Sequence, residues 1–278
     1  MEELKEAIFY EVVDKNKNLV RCHLCNHHCV IADGKRGICG VRENIKGKLY
    51  SLSYGKIVAM HIDPIEKKPF FHFFPGSYAF SISTEGCNFS CKHCQNWEIS
   101  QLVKERKEIY GTYVKPERIV EYAKENNCKS ISYTYTEPTV FFEYAIEIAE
   151  LAKKEKIYNN FVSNGYISEE GIKLMKDIDA INIDLKGFTE KFYKEICGAS
   201  LEKLLNSIKL IKKTGIWIEI TTLLIPTLND DEEQIKGIVN FVKDELGKET
   251  PLHFSLFHPD YKLTNLPSTP IETARKAR

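Results

Sequence analysis

Six short apolar runs alternate with longer segments of helical spacing between residues 78 and 257, and this alternation restricts the fold more than any other feature of the chain. The runs are Tyr78–Ser83, Ser130–Thr134, Asn160–Ser163, Ala180–Leu185, Ile216–Leu224 and Leu252–Phe257. The helical segments include Pro116–Glu125, Val140–Lys156, Glu169–Lys176, Leu201–Lys213 and Asp231–Leu246. Strands that alternate with helices form parallel sheets through right-handed crossovers. Six repeats are too few to close an eight-stranded barrel, so the sequence predicts an α/β fold with a partial (β/α)6 barrel.

The first 76 residues lack this alternation. They are rich in cysteine and histidine and contain turn signals at Gly34, Gly37 and Gly40. Such a segment predicts a small module that is held together by metal rather than by a large core. The run Pro69–Gly76, bounded by proline and glycine, then marks a boundary. We therefore predict a module over residues 1–76, the barrel over 77–258 and a tail over 259–278. The helical pattern is still open at Arg278, as expected of a truncated form.

The charge balance and the N-terminus argue against several classes of function. Lys plus Arg and Asp plus Glu both number 39, so no net charge draws the chain to nucleic acid or to an anionic membrane. The acidic start, Met1 to Glu6, lacks the basic and apolar regions of a secretory signal. No apolar run approaches the roughly 20 residues that span a bilayer. We predict a cytoplasmic protein, in which clustered cysteines indicate metal or redox chemistry rather than disulfides.

Three of the nine cysteines, Cys87, Cys91 and Cys94, follow the first predicted strand with Cys-x3-Cys-x2-Cys spacing. Thiolates are preferred ligands of iron–sulfur clusters, and a 4Fe–4S cluster takes four. Three thiolates leave one iron open to a small molecule. The spacing alone also admits zinc with a fourth ligand such as His93, or a cluster that a remote thiolate completes. These alternatives describe a non-enzymatic electron-transfer or zinc-binding module.

Polar side chains stand at or just after the ends of the later strands. They are Glu137, Asn164, Asp184, Lys186 and His258. The carboxyl ends of parallel strands lie at one edge of the sheet, where ligands bind. We therefore expect these side chains to converge on a charged ligand.

The cysteine loop with its flanks, Thr84–Asn96, resembles the cluster loop of radical SAM enzymes, in particular that of the activating enzymes of glycyl-radical proteins. The wider chain, including Phe254–Tyr261, resembles the radical SAM member of the AmmeMemoRadiSam group. The resemblance implies a 4Fe–4S cluster that reductively cleaves S-adenosylmethionine (SAM) to a 5′-deoxyadenosyl radical, which abstracts hydrogen from a substrate. It also implies an external reductant such as flavodoxin or ferredoxin, and Memo-like and AMMECR-like partners. The similarity to the activating enzymes suggests a protein or peptide substrate, and a small metabolite or RNA is the open alternative.

The family's motifs, matched onto this chain, imply contacts to SAM. Glu137 ends a segment that corresponds to the family's Gly-Gly-Glu element, which binds the methionine amino group, although both glycines are absent here. Asn164 belongs to a Ser-Asn-Gly element near the ribose and carboxylate. His93 stands where the family often has an aromatic residue beside adenine.

Further matches lie after the fourth and sixth strands. Asp184 and Lys186 match an Asp-Leu-Lys motif of the activating enzymes, and His258 matches a later histidine. Val162 replaces a residue that is acidic in the pyruvate formate-lyase activators, which argues against the cation site of those enzymes.

A second set of cysteines, the N-terminal cysteine group, consists of Cys22, Cys25, Cys29 and Cys39. Four thiolates with three nearby histidines suit structural zinc, because small loop-rich modules often fold around it. An auxiliary iron–sulfur cluster suits them as well, and free thiols are the third alternative. The two single cysteines, Cys128 and Cys197, are expected to be structural.

Overall fold

The computed structural model describes residues 4–106 and 108–278, and its N-terminal part contains two small antiparallel sheets. The strands are β1 Lys5–Glu6, β2 Tyr10–Asp14, β3 Leu19–Cys22, β4 Val30–Ile31, β5 Arg42–Ile45 and β6 Lys48–Ser51. One sheet has the order β1-β6-β5 and the other β2-β3-β4. Val20, Val41 and Leu49 are fully buried and belong to the same hydrophobic core as the barrel. The module therefore packs onto the barrel through apolar contacts.

The barrel is a single sheet of mostly parallel strands. Its strands are β7 Lys56–Pro64, β8 Tyr78–Thr84, β9 Thr112–Tyr113, β10 Ser130–Tyr133, β11 Tyr158–Ser163, β12 Ala180–Asp184, β13 Trp217–Leu224 and β14 Leu252–Leu256. The order is β14-β13-β12-β11-β10-β8-β7-β9. β8 and β10 to β14 pair in parallel. The partial barrel predicted from six strand-like runs is thus confirmed.

Helices cover the outside of this sheet. They are α1 Trp97–Ser100, α2 Pro116–Glu125, α3 Phe142–Lys154, α4 Glu169–Ile172, α5 Glu190–Phe192, α6 Leu201–Lys213, α7 Glu232–Phe241 and α8 Ile271–Ala277. Short 3-10 turns span Ile65–Lys67, Leu102–Lys104 and Pro138–Phe141, and π-helical turns span Tyr193–Cys197 and Val242–Leu246. None of the helices in the described ranges has both the length and the apolar character that a membrane crossing requires.

Two helix starts use side-chain caps that the sequence signals. Ser168 Oγ accepts from the backbone N–H of Gly171 at 3.2 Å, and Asp231 Oδ1 accepts from that of Gln234 at 2.9 Å. α4 is shorter than the predicted segment Glu169–Lys176, because beyond Ile172 the backbone switches to hydrogen bonds three residues apart.

An antiparallel strand that the sequence pattern did not reveal extends the barrel. β7 pairs with β8 along most of its length, from Ile57 opposite Thr84 to Pro64 opposite Tyr78. It lies within residues 1–76, so part of the predicted N-terminal module belongs to the barrel sheet. The division at residue 76 stays a prediction.

The aromatic run before β8 is fastened to the amino ends of the last strands. Glu219 on β13 is fully buried and accepts from the backbone N–H groups of Phe71 and His72, each at 3.0 Å. Its carboxylate also contacts His253 Nε2 at 2.7 Å. Burial alone would raise the pKa of Glu219, but these donors lower it below its usual value. This contact lies at the amino ends of the barrel strands. The polar residues predicted for the site follow the opposite, carboxyl ends.

A buried ion pair joins the N-terminal module to the barrel. Arg42 Nη2 lies 2.7 Å from Glu143 Oε1 on α3, and both side chains are almost completely buried. Arg42 also donates to the carbonyl of Ile8 at 2.8 Å, and Glu143 accepts from the N–H of Ile8 at 2.9 Å. Three segments of the chain therefore meet at one buried polar network.

Candidate active site

The loop after β8 carries Cys87, Cys91 and Cys94 at the carboxyl end of the parallel strands. Its backbone is anchored rather than free. The N–H of Ser90 donates to the carbonyl of Cys197 at 2.7 Å, and the N–H of Lys92 donates to that of Ile196 at 3.0 Å. The π-helical turn that ends at Cys197 thus fixes the middle of the cysteine loop.

The surroundings of the three thiols suit a multinuclear metal centre. No three cysteine sulfurs in the described chain lie within 4.8 Å of one another, whereas thiolates around a single zinc ion would lie about 3.8 Å apart. The N–H of Phe89 and Asn164 Nδ2 approach Cys87 Sγ at 3.4 and 3.8 Å, as donors to cluster sulfurs do. Burial raises the pKa of the Cys87 and Cys94 thiols. Their thiolate forms therefore need a metal cation beside them.

Gly86 sets the entry of the cysteine loop. Its φ is +108°, and an added Cβ would lie 2.8 Å from Val41 Cγ1. We expect Gly86→Ala to lower the free energy of unfolding by about 2–4 kcal/mol through backbone strain and steric overlap, and to lower bound iron. The control is Gly76→Ala, where φ is +78° but nothing lies within 4 Å of the added Cβ, so only about 1 kcal/mol is expected. Urea unfolding and iron analysis measure both; equal losses in the two variants would contradict the expectation.

Glu137 and Asn164 join the ends of β10 and β11 below the loop. Glu137 is buried, and its carboxylate accepts from Thr139 Oγ1 at 2.6 Å, Ser163 Oγ at 2.8 Å and the N–H of Asn164 at 2.7 Å. Asn164 in turn donates to Asn88 Oδ1 at 2.7 Å. Burial raises the pKa of Glu137 despite these donors. Its role in the structure is to position Asn164 against the cysteine loop, and a direct contact between Glu137 and SAM stays a prediction.

Asp184 and Lys186 form an ion pair beside the loop. Lys186 Nζ lies 2.8 Å from Asp184 Oδ2, and the lysine side chain is only 16% exposed. Burial would lower the pKa of Lys186, but the charges of Asp184 and of a Cys91 thiolate raise it well above its usual value. The ion pair therefore places a lysine cation near the Cys91 thiol.

His93 lies within the loop and is buried. Its ring centroid lies 6.4 Å from that of Phe192, with the planes 34° apart. Burial and the nearby Lys186 lower the pKa of His93 to about 3, so the ring is neutral. In the described chain, its buried Nδ1 has no hydrogen-bond partner. Such an atom suits a bound ligand that supplies the missing partner.

The far end of the loop contacts the sheet on both sides. Gln95 Nε2 donates to His258 Nε2 at 2.9 Å, and Asn96 Nδ2 donates to the carbonyl of Tyr135 at 2.8 Å. Tyr135 has a φ of +62°, an uncommon conformation for a bulky residue. His258 and Tyr135 thus contact the end of the cysteine loop from the ends of two strands, and the carboxyl edge of the sheet around these contacts is the mouth of the barrel.

Several residues of the site carried no signal in the sequence pattern. The ring of Tyr261 stacks on that of Trp97 with centroids 5.2 Å apart and planes 13° apart. The N–H of Lys262 donates to the carbonyl of Lys92 at 3.0 Å. The segment after β14 therefore packs on the cysteine loop. Only the aromatic character of Tyr261 hinted at this contact, since it joins residues more than 160 positions apart in the chain.

The four thiols of the N-terminal cysteine group line a cavity of their own. His27 and Asn88 also line it, and His27 Nε2 lies 2.8 Å from the carbonyl of Asn88. His23 and His28 point elsewhere: their Nδ1 atoms contact each other at 3.3 Å, and His23 Nε2 contacts Glu11. The structure therefore gathers the four cysteines but not all three histidines that the sequence offered as ligands.

Comparison with known proteins agrees with this arrangement of fold and thiols. A sequence model of the radical SAM superfamily matches residues 81–239, more than half of the chain. An uncharacterized protein of Methanocaldococcus jannaschii, MJ0808, is 52% identical over 275 residues, covering 99% of this chain and 81% of that protein. The pyruvate formate-lyase-activating enzyme of Clostridium pasteurianum is 21% identical, over 69% of this chain and 85% of that enzyme.

A solved structure shares the fold. Streptococcus suis SuiB bound to S-adenosylmethionine matches with a TM-score of 0.55 and 16% identity, over 70% of this chain and 44% of SuiB. At this identity the likeness concerns the fold alone.

The partial barrel and its three-cysteine loop define an α/β enzyme whose reaction centre lies at the carboxyl ends of the strands. The chain belongs to the radical SAM superfamily and is related to the activating enzymes. Membership implies a 4Fe–4S cluster and SAM. The three thiols of the loop and the donors near Cys87 fit the cluster, and the unpartnered Nδ1 of His93 fits a bound ligand such as SAM.

Proposed function

We propose that Cys87, Cys91 and Cys94 hold the 4Fe–4S cluster with one iron left open, and that SAM bound there serves hydrogen abstraction from a protein or peptide. The observation that carries the proposal is the three-cysteine loop, anchored at the carboxyl end of β8 with Lys186 beside it. When bound, the cluster supplies the electron that breaks a carbon–sulfur bond of SAM and yields the 5′-deoxyadenosyl radical.

The side chains around the mouth bind and orient SAM in this proposal. Lys186 uses one of its three N–H donors on Asp184 and offers the others to the SAM carboxylate. His93, neutral and with an unpartnered Nδ1, lies beside the adenine. Asn164 approaches the ribose and carboxylate from β11, and His258 borders the mouth on the opposite side. The packed tail at Tyr261 limits access of water to the loop.

The name of one relative supports a protein substrate, and the partners are those that the sequence resemblance implies. A pyruvate formate-lyase-activating enzyme is, by its name, an enzyme that acts on another enzyme. We propose that this chain likewise acts on a protein or peptide, that Memo-like and AMMECR-like proteins are its partners, and that flavodoxin or ferredoxin supplies electrons. The N-terminal cysteine group is proposed to bind metal in the same protein.

Lys186 provides a direct test of the SAM site. We expect Lys186→Met to weaken SAM binding by at least about tenfold, because it removes a charged hydrogen-bond donor worth about 1.5–3 kcal/mol. The matched control is Lys191→Met, since Lys191 is exposed on α5. Titration of SAM against the electron paramagnetic resonance (EPR) signal of the reduced protein measures the affinity. Unchanged affinity in Lys186→Met would contradict this role.

The proposed reaction is tested by anaerobic incubation with iron, sulfide, dithionite and SAM. We expect 5′-deoxyadenosine and methionine in equal amounts, and deuterium in the 5′-deoxyadenosine when a deuterated partner protein is added. A fully loaded cluster that yields no 5′-deoxyadenosine would overturn the proposal. Product without deuterium transfer from any candidate protein would overturn the assignment of a protein substrate.

A further inference from the structure

We propose that the N-terminal cysteine group holds a second iron–sulfur cluster, ligated by all four thiolates, which passes electrons to the centre at Cys87, Cys91 and Cys94. This inference rests on the proposed function of those three cysteines. For Cys22, Cys25, Cys29 and Cys39 it favours a cluster over zinc, and it assigns electron transfer to that cluster.

The spacing of the sulfurs is the first argument. Thiolates that each lie 2.3 Å from one zinc ion are about 3.8 Å apart, so any three of a four-cysteine zinc site lie well within 4.8 Å of each other. No three of the cysteine sulfurs in residues 4–106 and 108–278 meet that condition. A cluster separates its ligands further, because iron and inorganic sulfide lie between them. The four thiols are therefore not placed around a single ion, and a cluster, which is larger than one ion, is compatible with their spacing.

Two buried donors supply the second argument. Asn88 Nδ2 and Arg42 Nε both belong to residues that line the cavity, and neither atom has a hydrogen-bond partner in the described chain. Asn88 is 1% exposed and Arg42 is 3% exposed. A buried donor without a partner is unfavourable, and sulfide or thiolate acceptors would satisfy both atoms.

The position of the cavity beside the cysteine loop supports a role of the second cluster in electron transfer. Asn88 follows Cys87 directly, lines the cavity, and accepts a hydrogen bond from Asn164, whose Nδ2 also lies 3.8 Å from Cys87 Sγ. His27, which also lines the cavity, donates to the carbonyl of Asn88. Asn88 is therefore next to Cys87 in the chain and also part of the wall of the cavity that the four thiols line. Asp184, Lys186 and His258, which border the mouth, are absent from the cavity lining.

The ligand count defines the chemistry. Four thiolates leave no open iron, so the second cluster has no place to bind SAM or substrate. Its step is the transfer of a single electron, in which no bond forms and no proton moves. The electron comes from a low-potential carrier of the flavodoxin or ferredoxin class, and it leaves to the cluster at Cys87, Cys91 and Cys94.

The metal assignment is tested in the full chain with Cys87, Cys91 and Cys94 all changed to alanine. After anaerobic reconstitution we expect roughly half of the wild-type iron, matched by sulfide, and an EPR signal after reduction that SAM does not alter. Zinc in place of iron, or a chain without metal, would overturn the inference. Should this variant not fold, the wild type provides the measurement: two reduced signals, of which SAM changes one. A single signal would be contrary to the inference.

The electron-transfer task is tested with Cys29→Ser, with Cys128→Ser as the matched control because Cys128 lies outside both groups. We expect Cys29→Ser to form 5′-deoxyadenosine at the wild-type rate when dithionite is the reductant. With reduced flavodoxin as the reductant, we expect this rate to fall at least about tenfold. If Cys29→Ser formed 5′-deoxyadenosine at the wild-type rate with both reductants, the electron-transfer role of the second cluster would be overturned. Failure of the proposed function gives a different result. In that case the wild type would form no 5′-deoxyadenosine with dithionite, although iron and sulfide analysis would find both clusters.

Discussion

Replacing Cys91 with alanine is expected to remove the cluster at the mouth of the barrel and to abolish 5′-deoxyadenosine formation. Two thiolates remain in that variant, at Cys87 and Cys94, and two do not hold a 4Fe–4S cluster against loss of iron. The expected signature is a loss of iron and sulfide, together with loss of the EPR signal that responds to SAM. Iron analysis and product quantification under anaerobic conditions measure both.

Cys197→Ser is the matched control, because Cys197 contacts Cys91 and is fully buried. It is the thiol that would complete a four-cysteine site if the centre were a closed electron carrier. We expect this variant to keep its iron and its 5′-deoxyadenosine formation, since Cys197 anchors the loop through its backbone carbonyl rather than through sulfur. Loss of the cluster in Cys197→Ser would show that the site is closed, and the account of SAM binding would fail.

Replacing Arg42 with methionine is expected to lower the free energy of unfolding by about 3–5 kcal/mol, because it leaves Glu143 charged, buried and unpaired. The double variant Arg42→Met, Glu143→Leu is expected to recover most of this loss, since an apolar pair of similar volume replaces the ion pair. Urea unfolding measures both variants.

The control for Arg42→Met is an exposed pair. Lys154 lies 3.4 Å from Glu150 with both side chains more than half exposed, so Lys154→Met is expected to cost less than about 1 kcal/mol. If Arg42→Met cost no more than Lys154→Met, the ion pair would not be what joins the N-terminal module to the barrel.

The parts of the fold that follow from local signals could be predicted from the sequence. α2 has the predicted bounds, Pro116–Glu125, because a proline at its start and apolar residues at helical spacing are both local features. The parallel strands followed from their alternation with helices. β7 was missed because it is antiparallel and no α-helix of the described chain connects it to β8, so it lies outside the alternation of strands and helices.

The chemistry of the site could be predicted only from residues whose spacing along the chain is characteristic of a function. The cysteine loop is one such case. Other contacts of the site join residues that are far apart in the chain, and no periodic pattern in the sequence predicts them. They are the contacts of Asn88 with His27 and Asn164, and of Tyr261 with Trp97. The burial of Glu137 among donors from the turn after β10 and from the end of β11 likewise depends on the register of two strands, which the sequence did not specify.

The most direct measurement of the central claim is electron–nuclear double resonance on the reduced protein with SAM labelled with 15N at its amino group. The account predicts a hyperfine coupling between the 15N nucleus and the cluster, because the amino-acid end of SAM binds the iron that Cys87, Cys91 and Cys94 leave open. A fully loaded, reduced cluster that shows no coupling to the labelled nitrogen would contradict it.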